Sequence, residues 1–174
     1  MYLDLMDVLR EPGNSSEKPI DIAPGHLDDI EVVEPIRGSV RATNARQNIV
    51  VDGRAKGTVA MQCARCLNSY PQFLELELEA IAPISFFRGL LTGAQPEDPA
   101  EEPDDELAAL FDAHTVDVLE LVRQAIVLQS PLKPLCSEDC PGLPEAAKYI
   151  SVGDDARWQA LGDWQKNQQN KSKE

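Results

Sequence analysis

The sequence predicts an α+β fold: an antiparallel β-sheet of three or more strands, a packed core helix and a four-cysteine clasp. Three observations lead to this prediction. Apolar and polar residues alternate from Ile30 to about Ile84, which is the period of strands with one buried face. The segment "DVLELVRQAIVLQSP" then carries an apolar stripe at helical spacing. Two closely spaced cysteine pairs lie at the ends of these elements, the first between the second and third strands and the second after the helix.

The N-terminal segment "LDLMDVLREPG" predicts a short helix, because Leu5, Val8 and Leu9 recur at helical spacing before Pro12-Gly13. The next segment, "NSSEKPIDIAPG", is expected to be an irregular connection. A first strand follows and ends at a turn in "ATNARQN". We expect Val40 and Ala42 to face inward, and the outward positions are Arg37, Ser39, Arg41 and Thr43.

The second and third strands alternate in the same way. The second is expected to bury Ile49, Val51, Ala55, Val59 and Met61 and to expose Asp52, Arg54, Lys56 and Thr58. The third, "LELELEA", alternates leucine with glutamate. A turn centred on "CARCLNSY" would place Lys56 opposite Glu77 and Arg54 opposite Glu79, and each pair would contribute ~0.2–1 kcal/mol. Gly53 and Gly57 indicate either a bulge or a close backbone approach.

The core helix has recognisable start and stop signals. Asp117 is the expected N-cap, Glu120 would complete a capping box, and Pro131 would end the helix. The expected buried stripe, which would pack on the inner face of the sheet, is Val118, Leu119, Val122, Ala125 and Ile126.

The domain prediction is one domain over residues 1–150, because 174 residues are too few to expect two. Within it, seven acids and no base lie from Glu97 to Glu106, and we expect a disordered acidic loop at about 94–106. Residues 151–174 are expected to form a short helix containing Trp158 and Leu161, followed by a polar tail.

The four cysteines, Cys63, Cys66, Cys136 and Cys140, are candidate ligands of a structural zinc ion. Zinc favours four sulfur ligands in a tetrahedron, and short cysteine spacings let two sulfurs reach one ion. The core helix would return the chain across the sheet and bring the two pairs together. Two alternatives stay open: a redox dithiol, although the first pair lies between strands and not at a helix N-terminus, and four buried residues without metal.

The net charge of −14 argues against a general nucleic-acid binder, because phosphate affinity comes largely from lysine and arginine. The charge is segregated, however, since Arg37 to Cys66 holds six bases and one acid. Candidate RNA contacts are Arg37, Arg41, Arg54 and Lys56. The alternative is cross-strand pairing with Glu75, Glu77 and Glu79, which explains Arg54 and Lys56 better than Arg37 and Arg41.

Signs of catalysis or membrane insertion are weak. We find no Gly-rich phosphate loop, nucleophile elbow or paired-carboxylate setting in the sequence. His26 and His114 are isolated in loop-like contexts and are expected to be exposed. The start of the chain resembles neither a secretory signal nor a membrane span, so we expect a cytoplasmic protein without a membrane partner. Since catalytic motifs are missing, we expect a protein that is not an enzyme and has no small-molecule substrate.

Several segments together resemble the bacterial YceD family of large-ribosomal-RNA accumulation proteins. They are, in order, "LDLMDVLREPG", "VDGRAKGTVAMQCARCLNSY", "VDVLELVRQAIVLQSPLKPLCSEDCPGL" and "DARWQAL". The paired cysteines of the family fall on Cys63, Cys66, Cys136 and Cys140. Many relatives continue with a further Cys-Pro-x-Cys-Gly segment, whereas this chain has "PEAAKY" after Leu143.

The resemblance implies a non-enzymatic factor that supports accumulation of large-subunit ribosomal RNA and ribosome assembly. The partner would be that RNA or a basic ribosomal protein. The alternative function is a thiol-based redox or zinc-responsive regulator.

Overall fold

A computed structural model describes residues 1–87, 105–145 and Trp164. The strands are β1 (Tyr2–Asp4), β2 (Ser15–Ile22), β3 (Gly25–Leu27), β4 (Ile30–Asn44), β5 (Asn48–Gln62), β6 (Ser69–Pro83), β7 (Phe111–Asp112) and β8 (Thr115–Asp117). The helices with both ends described are α1 (Met6–Arg10), α2 (Asp105–Leu110) and α3 (Val118–Gln129), and residues 84–87 are also helical. The predicted α+β fold is confirmed.

Two antiparallel sheets organise these elements. The larger has five strands in the order β2-β4-β5-β6, with β3 also paired to β4, and the smaller has the order β1-β8-β7. Strands β4, β5 and β6 are 15 residues long and form a meander, because each is joined to the next by a short turn. These three strands are the ones expected from the alternation, and β6 lies at an edge of the sheet.

The predicted faces of the meander are largely confirmed. Leu76, Leu78, Val40 and Val51 are buried, and the side chains of Arg54 and Lys56 are exposed. Thr58 is a correction, because it is buried. Its hydroxyl donates a hydrogen bond to the carboxylate of Glu34 on β4. A polar side chain can be buried when such a partner satisfies it.

The predicted register of the β5–β6 hairpin was wrong by two residues. Lys56 lies opposite Glu75 and Arg54 opposite Glu77, while Glu79 faces Asp52. The strands pair as far as Gln62 and Ser69, so the connection ends at Asn68. Ser69 and Tyr70 therefore belong to the strand, and the turn is centred nearer to the first cysteine pair than expected.

Strand β2 was not predicted, because we expected the segment "NSSEKPIDIAPG" to be an irregular connection. It pairs with β4 from Ser15–Thr43 to Ile22–Ile36. Ile20 is the one buried residue of β2, so the segment has too few apolar positions to show alternation. Pro19 fits this location because proline is tolerated in edge strands.

The glycines of β5 lie where β4 comes close. A Cβ atom at Gly53 would lie 2.5 Å from the carbonyl oxygen of Ser39, and one at Gly57 would lie 2.5 Å from Cγ1 of Ile36. These positions have no room for a larger residue. The close backbone approach is confirmed at both glycines. At Gly57 the expected irregularity is also present, because the register of β4 and β5 shifts between Glu34–Thr58 and Arg37–Lys56.

Helix α3 packs on the inner face of the sheet and begins where predicted. The carboxylate of Asp117 accepts hydrogen bonds from the N–H groups of Leu119 and Glu120. Glu120 does not complete the expected capping box but accepts from Arg123. The buried residues of the helix are Val118, Leu121, Val122, Ala125 and Ile126, so Leu121 takes the fully buried place expected for Leu119. They join one hydrophobic cluster with both sheets and α1.

Two predictions lie mainly outside the described residues. Most of the acidic loop at about 94–106 is not described, and α2 begins at Asp105. The predicted helix with Trp158 and Leu161 is also outside them. Within the described ranges, no helix is long and apolar enough to cross a membrane.

Candidate metal centre

The first cysteine pair lies in the six-residue connection between β5 and β6. The N–H of Cys63 donates to the carbonyl of Asn68 at 2.9 Å, and the N–H of Leu67 donates to the carbonyl of Cys63 at 2.9 Å. Leu67 has a positive φ of 63°, which turns the chain tightly. The side chain of Gln62 donates to the carbonyl of Leu67 at 3.1 Å. This tight turn holds Cys63 and Cys66 on one side of the hairpin.

The second pair follows the end of α3. The chain leaves the helix at Ser130 in an extended conformation, just before Pro131, as expected from the sequence. The carbonyl of Pro134 accepts a hydrogen bond from the N–H of Ala64 at 2.8 Å, which joins the two loops through their backbones. A further turn is closed by the N–H of Cys140, which donates to the carbonyl of Ser137 at 3.2 Å.

Arg65 joins the loops through its side chain, a role that we did not predict. One guanidinium nitrogen, Nη1, donates to the carbonyl of Glu138 at 2.9 Å and to the carbonyl of Cys140 at 3.2 Å. The position of Arg65 between the first two cysteines could have suggested this, since arginine is suited to bridging several acceptors.

The four sulfur atoms converge, so the predicted meeting of the two loops is confirmed. All four lie within 4.8 Å of one another. The Cys63–Cys140 and Cys66–Cys136 sulfur separations are both 3.8 Å, and all four cysteines are free. A disulfide would require about 2.05 Å. A zinc–sulfur bond of about 2.3 Å gives a sulfur–sulfur edge of about 3.8 Å in a regular tetrahedron. The four cysteines therefore lie close enough to hold a metal ion.

The electrostatics of the cluster favour a thiolate at Cys63. Hydrogen bonds from the backbone N–H groups of Cys66 and Cys136 lower the pKa of Cys63 to about 6. A hydrogen bond with Cys140 and burial raise the pKa of Cys136 to about 12. The N–H of Asn68 lowers the pKa of Cys66, but burial and the neighbouring sulfurs raise it overall. The sulfurs thus compete for negative charge, and a metal ion held by all four would relieve that competition.

The cluster is enclosed on one side only. Cys63 and Cys140 are buried, Cys66 is half-buried and Cys136 is exposed. The hydroxyl of Tyr70 is buried near the cluster, close enough for the charges of Cys63 and Cys136 to act on it. Burial and the charges of Cys63 and Cys136 raise the pKa of Tyr70, so this hydroxyl stays protonated beside the sulfurs.

The four candidate RNA-contact residues lie away from the cysteines, on the outer face of the larger sheet. Each is exposed and faces an acid. Lys56 lies 2.8 Å from Glu75 and Arg54 3.8 Å from Glu77. Arg37 lies 3.5 Å from Asp21 and Arg41 3.1 Å from Glu17. Strand β2, which we did not predict, supplies the acids that pair with Arg37 and Arg41.

The two histidines differ in their location. His114 is exposed in the connection between β7 and β8, as expected. His26 lies in β3 and not in a loop, which corrects the predicted context of that residue. Neither belongs to the cluster of four cysteines.

The chain is similar to several curated proteins. Uncharacterized proteins of Mycobacterium bovis and Mycobacterium tuberculosis are each 25% identical over 142 residues, which is 80% of this chain and 59% of theirs. An uncharacterized protein of Mycobacterium leprae is 23% identical over 66% of this chain and 48% of its own length. The chain thus spans about three-fifths or less of the length of these curated relatives. No solved structure gives a significant match.

The family comparison covers most of the chain. Residues 51–164 match the family described as "Large ribosomal RNA subunit accumulation protein YceD". The matched range includes most of β5, all of β6 and α3, and both cysteine loops. The chain therefore belongs to the YceD family.

Proposed function

We propose that this protein is a non-enzymatic assembly factor that supports the accumulation of large-subunit ribosomal RNA. The observation that carries this proposal is the family match over residues 51–164, which contains the whole four-cysteine cluster. The description of the family names the ribosomal role and no reaction. The proposal places the protein in the cytoplasm, with residues 1–150 acting as one domain and residues 151–174 as a short helix and polar tail.

The proposed cofactor is a structural zinc ion held by Cys63, Cys66, Cys136 and Cys140. The sulfur separations of 3.8 Å fit a tetrahedral zinc site, as argued above. Four protein sulfurs would fill the coordination of the ion and leave no position for a reactive water, which supports a structural role over a catalytic one. The ion would tie the end of the β5–β6 hairpin to the segment after α3.

The partner is proposed to be an assembling component of the large subunit. Arg37, Arg41, Arg54 and Lys56 remain the candidate contacts for ribosomal RNA. Each faces a carboxylate within 3.8 Å, so binding of a phosphate would require an existing ion pair to be given up. Together with the net charge of −14, this favours a basic ribosomal protein over RNA as the direct contact.

Depletion of the protein in its host tests the ribosomal role. We expect the ratio of large-subunit to small-subunit ribosomal RNA to fall and to recover when the wild-type gene is restored. Cross-linking in the same cells should recover a ribosomal protein or ribosomal RNA. An unchanged ratio on full depletion, with neither component cross-linked, would contradict the proposal.

Two features of the cluster support one alternative, a redox or zinc-responsive regulator. Cys136 is exposed, and the pKa of its neighbour Cys63 is lowered although Cys63 is itself buried. Titration of the thiols before and after chelation separates the two functions. Thiols that react only after chelation support the structural clasp, whereas a reversible disulfide in metal-free protein supports redox regulation.

A further inference from the structure

The outer edge of β6 has a side chain where a neighbouring strand would lie. The N–H of Glu77 donates to the side-chain oxygen of Gln129 at 2.9 Å, and the carbonyl of Glu77 accepts from the side-chain nitrogen of Gln129 at 2.7 Å. The amide of Gln129, at the end of α3, thus forms with Glu77 the two hydrogen bonds that a paired strand would form. Among the described residues, no strand pairs with this edge.

The prolines of β6 show how much of this edge is available. Backbone groups of alternate residues point to the same side of a strand, so the N–H positions of odd-numbered residues point outward with that of Glu77. Pro71 and Pro83 both have this parity. Proline lacks an N–H and is confined to unpaired positions of edge strands. The outward hydrogen-bonding groups therefore run from Phe73 to Ile81.

The two sides of this edge differ chemically. On one side, a groove of about 360 Å³ lies between β6 and α3 and includes Leu121, Ala125 and Leu128. The side chain of Leu128 is 82% exposed. On the other side, the carboxylates of Glu75, Glu77 and Glu79 form a row on the outer face of the sheet. A strand added here would place alternate side chains against leucine and against glutamate.

We propose that the edge of β6 binds an extended peptide segment of a partner protein in which lysine or arginine alternates with apolar residues. Strand addition would supply backbone hydrogen bonds, and the groove would take the apolar side chains. The bases would pair with Glu79, which faces Asp52, and would share Glu75 and Glu77 with Lys56 and Arg54. A second copy of this chain fits poorly, because its own glutamate row would face this one. The inference goes beyond the proposed ribosomal role and does not depend on it.

Gln129 has a defined part in this binding. An incoming strand must displace the side-chain amide of Gln129 from Glu77. Its backbone then forms the two hydrogen bonds with the N–H and carbonyl of Glu77 that the amide formed before. Gln129 therefore protects the edge in the absence of a partner, as native proteins generally protect long edge strands. Removal of its amide should make the edge easier to bind.

The test uses a fluorescein-labelled heptapeptide of alternating lysine and valine, with fluorescence anisotropy as the readout. Glu79→Pro removes an outward N–H and a charge, whereas the matched control Glu79→Gln removes the charge alone. We expect Glu79→Pro to weaken binding about tenfold more than Glu79→Gln, because one backbone hydrogen bond is lost and strand addition is blocked. Circular dichroism shows whether each variant is folded.

A second variant and a second peptide keep the test decisive if Glu79→Pro does not fold. Gln129→Ala should tighten binding by about threefold or more, since two competing hydrogen bonds are removed. A peptide N-methylated at its lysine backbone nitrogens should bind at least about tenfold more weakly, because residues opposite the outward-pointing glutamates carry the N–H groups that face β6. This peptide keeps its charge but cannot pair as a strand. Equal affinity for both peptides, together with no effect of Gln129→Ala, would overturn the proposal and leave only charge attraction. If the wild-type protein self-associates and Glu79→Pro does not, the strand that occupies the edge of β6 would instead belong to a second copy of this chain.

Discussion

The cysteine end and the outer face of the larger sheet both hold clusters of ionisable side chains. Only on the sheet are the charges balanced by opposite charges of the same chain. On the sheet, Arg37, Arg41, Arg54 and Lys56 each have a carboxylate within 3.8 Å. At the cysteine end, four sulfurs that share the same chemistry converge within 4.8 Å of one another, with no opposite charge among the cluster members.

This difference separates a structural pattern from a ligand site. Paired charges on a sheet stabilise its register and need nothing further. Four converging thiols raise each other's energy as they ionise, and so they are suited to a cation that comes from outside the chain. A cluster of one residue type is therefore stronger evidence of a ligand site when its side chains have no partners of opposite charge within the chain.

The largest predicted effect is loss of the clasp through Cys140→Ser. With zinc at about 1,000 times its Kd, binding stabilises the folded state by about 4 kcal/mol, and we expect most of this to be lost with one ligand. Urea unfolding of both proteins, with and without a chelator, measures it. Ser137→Ala, a change at an exposed residue of the same loop, is the control and should behave as wild type. Unfolding of Cys140→Ser and wild type at the same urea concentration would show that Cys140 does not contribute to a metal clasp.

Arg65→Ala should have the next largest effect, about 1–2 kcal/mol. It removes the two hydrogen bonds from a charged group to Glu138 and Cys140, which hold the second loop against the first. We also expect the variant to lose metal to a chelator faster. Arg65→Lys keeps the charge but not the planar guanidinium group. Its stability and its rate of metal loss should lie between those of wild type and Arg65→Ala. A chelation rate and an unfolding midpoint equal to those of wild type would show that Arg65 does not support the cluster.

Reversal of one charge on the sheet should have a smaller effect. Lys56→Glu places like charges opposite each other at Glu75, and we expect a loss of about 0.5–1 kcal/mol. The double variant with Glu75→Lys restores an opposite pair and should recover most of the loss. Chemical unfolding of the three proteins completes the comparison. If the double variant is no more stable than the single one, the pair does not contribute to the register.

The smallest predicted effect is that of Glu75 on the pH dependence of stability. A hydrogen bond from Lys56 lowers the pKa of Glu75. A lowered carboxyl pKa stabilises the folded state above the unfolded pKa, and this contribution is lost as pH falls through the folded pKa. Glu75→Gln should therefore be less stable than wild type near neutral pH and equal to it in acid. Glu79→Gln is the control, because Glu79 faces Asp52 and not a base. A difference that grows in acid would contradict this assignment.

The meander and the core helix could be predicted from the sequence because their signals are local. Alternation over β4 to β6 and the stripe of α3 follow from which side chains must be buried. The convergence of the cysteines followed from the same elements, since a helix that crosses the sheet brings the two loops to one end.

The predictions that were wrong or missing depend on contacts between residues far apart in the sequence or on strands too short to show a pattern. The register of β5 and β6 depended on whether Ser69 and Tyr70 pair, which hydrogen bonds decide and composition does not. Strand β2 has one buried residue, and β1, β7 and β8 have three residues or fewer, so none could show a period. Arg65 was counted among the bases, but its role depends on carbonyl groups more than seventy residues away.

X-ray absorption at the zinc edge, on protein purified without added metal, tests the clasp most directly. We expect about one zinc ion per chain, with four sulfur ligands at about 2.3 Å and no nitrogen or oxygen ligand. Protein that carries no metal, or zinc bound mainly through nitrogen or oxygen, would contradict it.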